Sequence, residues 1–210
     1  MSDLFKDLFA RHDPRILAAL RADTVGIAGA GGLGSNVAVS LARAGVGRLI
    51  IADFDKIEPS NLNRQQYFVK QIGRRKVEAL RENLKKINPF SEYIVHDVKV
   101  IRANTGRLFG AADILIEAFD KAGQKGMLIN TWLSLYPKKP IIAASGLAGY
   151  GKNSKLHTRK IGSLYVCGDG ETECPKGISP MAPRVAIVAN MQANLAVELL
   201  VKLKRSRLKA

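Results

Sequence analysis

The stretch Val25-Gly26-Ile27-Ala28-Gly29-Ala30-Gly31-Gly32-Leu33-Gly34-Ser35 decides how this chain folds. Its first residues are apolar or small and read as a buried strand, and a helix opens at its end. Gly29, Gly31 and Gly34 match G-x-G-x-x-G in the strand–loop–helix setting that gives the pattern meaning. Glycines let the backbone approach a phosphate, and the helix N-terminus offers free N–H groups and a positive dipole end. The same pattern calls for an acid about 20 residues on, to bind a ribose hydroxyl. Asp53 stands 19 residues after Gly34. A glycine turn without a ligand is the plain alternative, and the agreement of strand, loop, helix and acid argues against it. At this point NAD, FAD and ATP all remain open.

Outward from the loop, short Val- and Ile-rich segments recur: Arg48–Asp53, Tyr93–Val98, Asp113–Ala118 and Pro140–Ser145. Helical patterns fall between them. Val77, Leu80, Leu84 and Ile87 repeat at helical spacing, and Asn88-Pro89 stops that helix. A further helix is expected from Lys121 to Tyr136, and a long last one from Pro183. Strands alternating with helices imply a parallel sheet with crossover helices. The expected fold is therefore α/β, a Rossmann-like, doubly wound, mostly parallel sheet flanked by helices, in one domain over 1–210. Residues 1–23 read as an N-terminal helical arm, and 146–183 as a glycine-rich flap or insertion after the fifth strand. The polar connection Asp55–Ile72 is longer than an ordinary strand–helix loop, which marks it as functional or mobile.

Composition narrows the class. The chain has 210 residues, 47% hydrophobic and 24% charged, which excludes a disordered chain, a collagen-like fibre and a coiled coil. The charge is +15, from 33 Lys and Arg against 18 Asp and Glu. A basic surface draws nucleic acid, anionic membranes, nucleotides or acidic proteins without distinguishing them. The opening MSDLFKDLFARHD is charged throughout and reads as no signal peptide, and the long uncharged stretch Thr24–Leu41 is broken by glycines. The expectation is a soluble, cytoplasmic protein. Two cysteines, Cys167 and Cys174, do not supply a four-cysteine zinc site, so no zinc is expected. His12, His96 and His157 are scattered without metal spacing.

Three further segments point to a triphosphate. Asp53-Phe54-Asp55 is followed by Ser60-Asn61-Leu62-Asn63-Arg64-Gln65, a polar run that an ordinary dinucleotide fold does not need. Arg64 and Asn61 add donors beside the glycine loop, and Lys76 follows in Ile72-Gly73-Arg74-Arg75-Lys76. Such groups suit the charge of a triphosphate. Glu117-Ala118-Phe119-Asp120 closes the fourth strand, at the sheet end where ligands of open α/β folds bind. Asp120 there suits Mg²⁺ beside phosphates, or, in the plain reading, an N-cap.

Together the motifs G-A-G-G-L-G-S, D-F-D…S-N-L-N-R-Q, I-G-R-R-K and the aspartate after strand four resemble the sulfur-carrier adenylyltransferases ThiF and MoeB, of the ubiquitin-activating superfamily. The compact length, E-A-F-D and Met181-Ala182-Pro183-Arg184 resemble the short ThiF-like subgroup. The resemblance implies an enzyme that uses Mg·ATP to adenylate the C-terminal glycine of a ThiS-like carrier, releasing pyrophosphate, in thiamine biosynthesis. It implies that Gly29, Gly31, Gly32 and Gly34 form the phosphate loop and that Asp53 holds the ribose. Ser60, Asn61, Arg64 and Lys76 would surround the phosphates, with Asp120 on magnesium. It also implies a homodimer in which an N-terminal arginine reaches the partner's site, Arg11 first and Arg15 second. Cys167 or Cys174 could link to the carrier, against the plain reading of a buried thiol. Membrane and nucleic acid are not expected partners, the basic run Lys202–Lys209 being read as a solvated helix end with RNA contact as the alternative. The competing functional readings are a nicotinamide-dependent oxidoreductase or dinucleotide-binding module, activation of a tRNA-base carboxylate, and a scaffold without turnover.

Overall fold

A computed structural model describes residues 3–172 and 180–207, with side chains to Leu203. Seven strands form one sheet in the order β3-β2-β1-β4-β5-β7-β6. They are β1 (Thr24–Ala28), β2 (Arg48–Asp53), β3 (Glu92–Asp97), β4 (Ile114–Glu117), β5 (Ile141–Ala144), β6 (His157–Ile161) and β7 (Leu164–Gly168). All neighbours pair in parallel except β6 with β7. The inner strands β1, β4 and β5 are buried along their whole length, as expected when helices cover both faces of a parallel sheet.

Those helices are α1 (Asp3–Leu8), α2 (Pro14–Ala22), α3 (Gly32–Ala44), α4 (Lys76–Ile87), α5 (Arg102–Phe109), α6 (Ala122–Leu135) and α7 (Ala182–Arg207). On one face Val37 of α3, Leu80 and Leu84 of α4, and Val188 and Leu200 of α7 pack on Ile27, Ile51 and Ile116. On the other, Phe109 of α5 and Leu128 and Trp132 of α6 pack on Ile50 and Leu115. The segment Ala182–Leu203 of α7 is long and apolar enough to cross a membrane, yet Val188, Ala189, Ala193, Ala196 and Leu200 on it are buried in the first of these cores. The N-terminal arm is helical, and it packs on its own chain through Phe5, which meets the Phe90 ring edge-on at 5.3 Å.

The doubly wound reading holds, and three features differ from the sequence expectation. The stretch read as a flap after the fifth strand carries a hairpin, β6–β7, that extends the main sheet beyond β5. The sequence carries no signal of this hairpin, since β6, His-Thr-Arg-Lys-Ile, is exposed at every residue and shows no alternation. Helix α5, absent from the sequence reading, crosses from β3 to β4; its polar sequence RANTGRLF carries little apolar period. The polar connection after β2 is ordered into two 3-10 turns, Pro59–Asn61 and Val69–Gln71.

Candidate active site

The sheet order turns at β1, whose neighbours β2 and β4 lead in opposite directions, and open α/β folds bind ligands at the carboxyl ends of such strands. A cavity of about 720 Å³ lies there. Gly29, Gly31 and Gly32 form part of its wall, with Asp53, Asn61, Arg64, Lys76 and Asp120. Eight of the sequence-predicted residues thus meet in one place, although β2, the connection and β4 are far apart in sequence. Gly34, Ser60 and Arg11 do not line it.

The glycine loop has its shape for steric reasons. Gly29 takes φ +103°, and a Cβ there would stand 2.7 Å from the Ala118 carbonyl oxygen. Gly34 lies behind the loop, where a Cβ would sit 1.9 Å from the Gly29 carbonyl oxygen. That glycine is needed for helix–loop packing and not for ligand contact. The loop is then sewn to the polar connection. Tyr67 donates its hydroxyl to the Ala30 carbonyl at 2.7 Å. Ser35 donates to Gly31 O at 2.7 Å and accepts from Gln66 N at 3.1 Å. Asn36 Nδ2 bridges Gly32 O at 2.6 Å and Arg64 O at 3.0 Å, which fixes the backbone that presents Arg64. Burial and the nearby Asp53 and Asp55 carboxylates push the Tyr67 phenol well above its usual range, so it stays a donor. Ser35 stands in the G-A-G-G-L-G-S motif without a role assigned to it, and Tyr67, Asn36 and Gln66 carry no sequence signal; the bonds that cross the seam join residues 28–37 apart in sequence.

The charged side chains divide into fixed and open ones. Asp53 accepts from Ala30 N at 2.7 Å and Asp55 N at 2.8 Å, so it ties β2 to the glycine loop. Burial raises its pKa, against the pull of those N–H groups and Lys76. Lys76 starts α4 and is nearly buried, its Nζ 2.9 Å from Asp55 Oδ2. Arg64 Nη1 donates to Asn63 Oδ1 at 2.7 Å and to Ser60 O at 3.2 Å, an exposed and weak tether. Asn61 Oδ1 accepts from Glu58 N at 3.1 Å and so closes the 3-10 turn. Asp120 is exposed to the cavity and has no side-chain partner among the described residues. It is not the N-cap of α6; that position is Lys121.

Two ion pairs near the cavity were not predicted. Glu117, fully buried at the end of β4, receives Lys125 Nζ at 2.9 Å, and Lys125 also reaches the Ala144 carbonyl at 3.2 Å. Burial raises the Glu117 pKa, countered by Lys125. Asp169 and Arg184, each 2% exposed, pair at 2.6 Å behind the wall formed by Gly146, Thr172 and Val185. Cys167 is buried, its Sγ 3.6 Å from Thr158 Oγ1, and burial raises its pKa. Cys174 lies outside the described residues. Arg11 is exposed, and Arg15 is engaged with Asp13 at 3.2 Å. Among the described residues no group of three or more His, Cys, Asp or Glu is placed to hold a metal alone.

The cavity lies at the switch point of a doubly wound α/β fold, with six cationic and four acidic side chains on its wall. Residues 7–210 match the ThiF family, and the chain belongs to that family. It is 37% identical over 134 residues to the adenylyltransferase and sulfurtransferase uba4 of Aspergillus niger, covering 63% of this chain and 27% of that protein. It is 34% identical over 149 residues to the adenylyltransferase and sulfurtransferase MOCS3 of Aedes aegypti, covering 70% of this chain and 33% of that one. The chain thus spans about a third or less of these two relatives. Among solved structures, the tRNA N6-threonylcarbamoyladenosine dehydratase TcdA of E. coli, in complex with ATP, superimposes with a TM-score of 0.87 at 20% identity, covering 98% of both chains. E. coli MccB, solved with MccA-N7isoASN, gives 0.69 at 23% identity, covering 90% of this chain and 59% of that one.

Proposed function

We propose that this chain is an ATP-dependent adenylyltransferase that activates a carboxylate. The observation that carries the reading is the convergence of a bare glycine loop, Arg64, Lys76 and an unpartnered Asp120 on one cavity at the switch point. Gly31 and Gly32 present backbone to the phosphates. Arg64 and Lys76 neutralise charge on the departing pyrophosphate, and Asp53 accepts from ribose hydroxyls with the lone pairs its backbone bonds leave unused. Asp120 fits a Mg²⁺ site of the kind that takes one or two carboxylates and completes its shell with phosphate oxygens and water. Bound there, the ion would supply further charge neutralisation at the phosphates. A carboxylate oxygen of the substrate forms the bond to the α-phosphorus; the bond to the bridging oxygen breaks, and its electron pair leaves with pyrophosphate. The carboxylate is already ionised at neutral pH, so the chain supplies position and charge and no general base.

For the carboxylate we favour the C-terminal glycine of a ThiS-like sulfur carrier in thiamine biosynthesis, with the enzyme working as a homodimer. The family and the names of the sulfurtransferase relatives support this reading. A second reading, a carboxylate on a tRNA base, is supported by the charge of +15 and by the full-length likeness to TcdA. A thermal-shift comparison tests the nucleotide first. At 100 times its dissociation constant a ligand stabilises by about 2.7 kcal/mol, a shift of about 5–10 °C at this size. Stabilisation by Mg·ATP and not by NAD⁺ is expected, then pyrophosphate–ATP exchange that depends on a Gly-Gly carrier. Stabilisation by NAD⁺ alone would overturn the reading in favour of an oxidoreductase.

A further inference from the structure

The net charge is concentrated in two parts of the sequence. Residues 121–168 hold eight lysines and arginines and no acid, and residues 199–210 hold five and again no acid. Thirteen of the fifteen net positive charges therefore lie in these two segments. Some have inward duties. Lys121 and Lys125 line the cavity, and Lys139 Nζ donates to the Gly110 and Ala112 carbonyls at 2.8 Å. Of the others whose side chains are described, Lys138, Lys152, Lys155, Arg159, Lys160 and Lys202 lie along one edge of the sheet, Lys155 with Glu171 3.9 Å away.

That edge is β6, paired only with β7 and exposed at all five residues. It carries Arg159 and Lys160, and the turn before it, Asn153–Lys155, adds Lys155 beside Lys152. A recess of about 260 Å³ at its far end is lined by Lys138, Lys160 and Lys202, with Tyr165, Gly162 and Ser163. Lys202 is paired there with Glu198, and α7 runs on through Lys204, Arg205 and Arg207. The edge also has a direction. His157 pairs with Gly168, next to the Ser145–Gly146 wall of the cavity, whereas Ile161 pairs with Leu164 at the opposite end of the sheet. The cationic track thus runs for about 17 Å, at 3.4 Å per residue, away from the mouth of the nucleotide cavity. Tyr150, 77% exposed, stands between the cavity residue Ala148 and Lys152 and offers an open ring face.

We propose that this edge is a docking surface for the sugar–phosphate backbone of a structured RNA. Lysines on an edge strand also guard against sheet-to-sheet pairing. That duty accounts for Arg159 and Lys160, but Lys138, Lys152 and Lys155 lie off the strand. An acidic protein is the rival partner. Protein interfaces are depleted in lysine and centre on buried aromatic and arginine anchors, whereas phosphate contacts use dispersed lysines around an aromatic stacking face. This edge has the second composition. The proposal departs from the sequence expectation that nucleic acid is not a partner and takes up its stated alternative of an RNA contact.

The test uses the whole protein without nucleotide, so its outcome is separate from that of adenylation. Binding of bulk unmodified tRNA is measured by fluorescence anisotropy across a KCl series, for wild type and for the triple variant Lys138→Glu, Lys155→Glu, Lys160→Glu. Wild type is expected to bind with log affinity falling linearly in log salt. The variant is expected to bind at least tenfold more weakly at 100 mM KCl, with a salt slope shallower by about 2–3, roughly one per lysine. Its melting temperature and its Mg·ATP shift should match wild type, which separates lost docking from lost fold. Absence of tRNA binding by wild type at 100 mM KCl would overturn the proposal, as would equal affinity of the two proteins. So would loss in the variant of binding to a Gly-Gly carrier with tRNA binding intact, which would assign the edge to a protein.

Discussion

Arg64 is held by weak, exposed bonds to Ser60 and Asn63, while its backbone is fixed through Asn36 to the glycine loop. A side chain on a rigid root with a loose end can exchange those tethers for phosphate oxygens without disturbing the fold. Arg64→Ala should therefore leave the melting temperature nearly unchanged and cut the adenylation rate by about 10²–10³, the scale for one preorganised charge-stabilising group. A loss below fivefold in pyrophosphate exchange would take Arg64 out of the site. Asp120 has no side-chain partner to lose among the described residues. Asp120→Ala should fold normally and abolish Mg²⁺-dependent exchange, and undiminished turnover would refute its assignment. The sequence marks both residues as candidates because each stands at a place that strand and loop patterns define, and the structure brings both to the cavity. The bonds that hold the glycine loop and the Arg64 backbone are not legible in the sequence, since Tyr67, Ser35 and Asn36 act on backbone groups, and a hydrogen bond to the backbone leaves no trace in residue type.

At the level of elements, legibility followed burial. The strands β1, β2, β4 and β5 announce themselves because both faces are covered and their sequences must be apolar. The edge strand β6 satisfies no such demand, so its sequence gives no strand signal and the segment looks like a flap. What fastens that hairpin to α7 is the pair Asp169–Arg184, with Arg184 also donating to the Gly151 carbonyl. Burial alone would raise the Asp169 carboxyl. Hydrogen bonds from Thr172 and the Glu171 N–H, together with the Arg184 charge, outweigh it and bring the pKa to about 2. A depressed carboxylate contributes stability above its unfolded pKa of about 3.9 that is lost as pH falls toward its folded value. Asp169→Asn should lower stability at neutral pH by about 3–5 kcal/mol, because a buried guanidinium is left unpaired. At this size that is on the order of 10 °C. The gap between wild type and variant should narrow between pH 4 and pH 2. A constant gap across that range would show that the ionised carboxylate is not what fastens the hairpin.

At the scale of the whole molecule, Arg11, the N-terminal arginine that the family resemblance implies, takes no part in lining the cavity of its own chain. The family resemblance has this arginine serve the site of another copy of the chain, and a closed twofold dimer is the commonest arrangement that would let it. Two inactive variants test this directly. Arg11→Ala and Arg64→Ala are each expected to be severely impaired alone. After mixing in equal amounts and subunit exchange, half of the dimers pair one variant with the other. In each such dimer one site draws Arg64 from the first subunit and Arg11 from the second, and is intact. Activity should therefore recover to about a quarter of wild type, by counting sites in a twofold dimer. If both residues served the same subunit's site, no mixture could assemble an intact one and activity would stay at the level of the separate variants. Full activity of Arg11→Ala by itself would remove the arginine from the mechanism and leave a site complete within one chain.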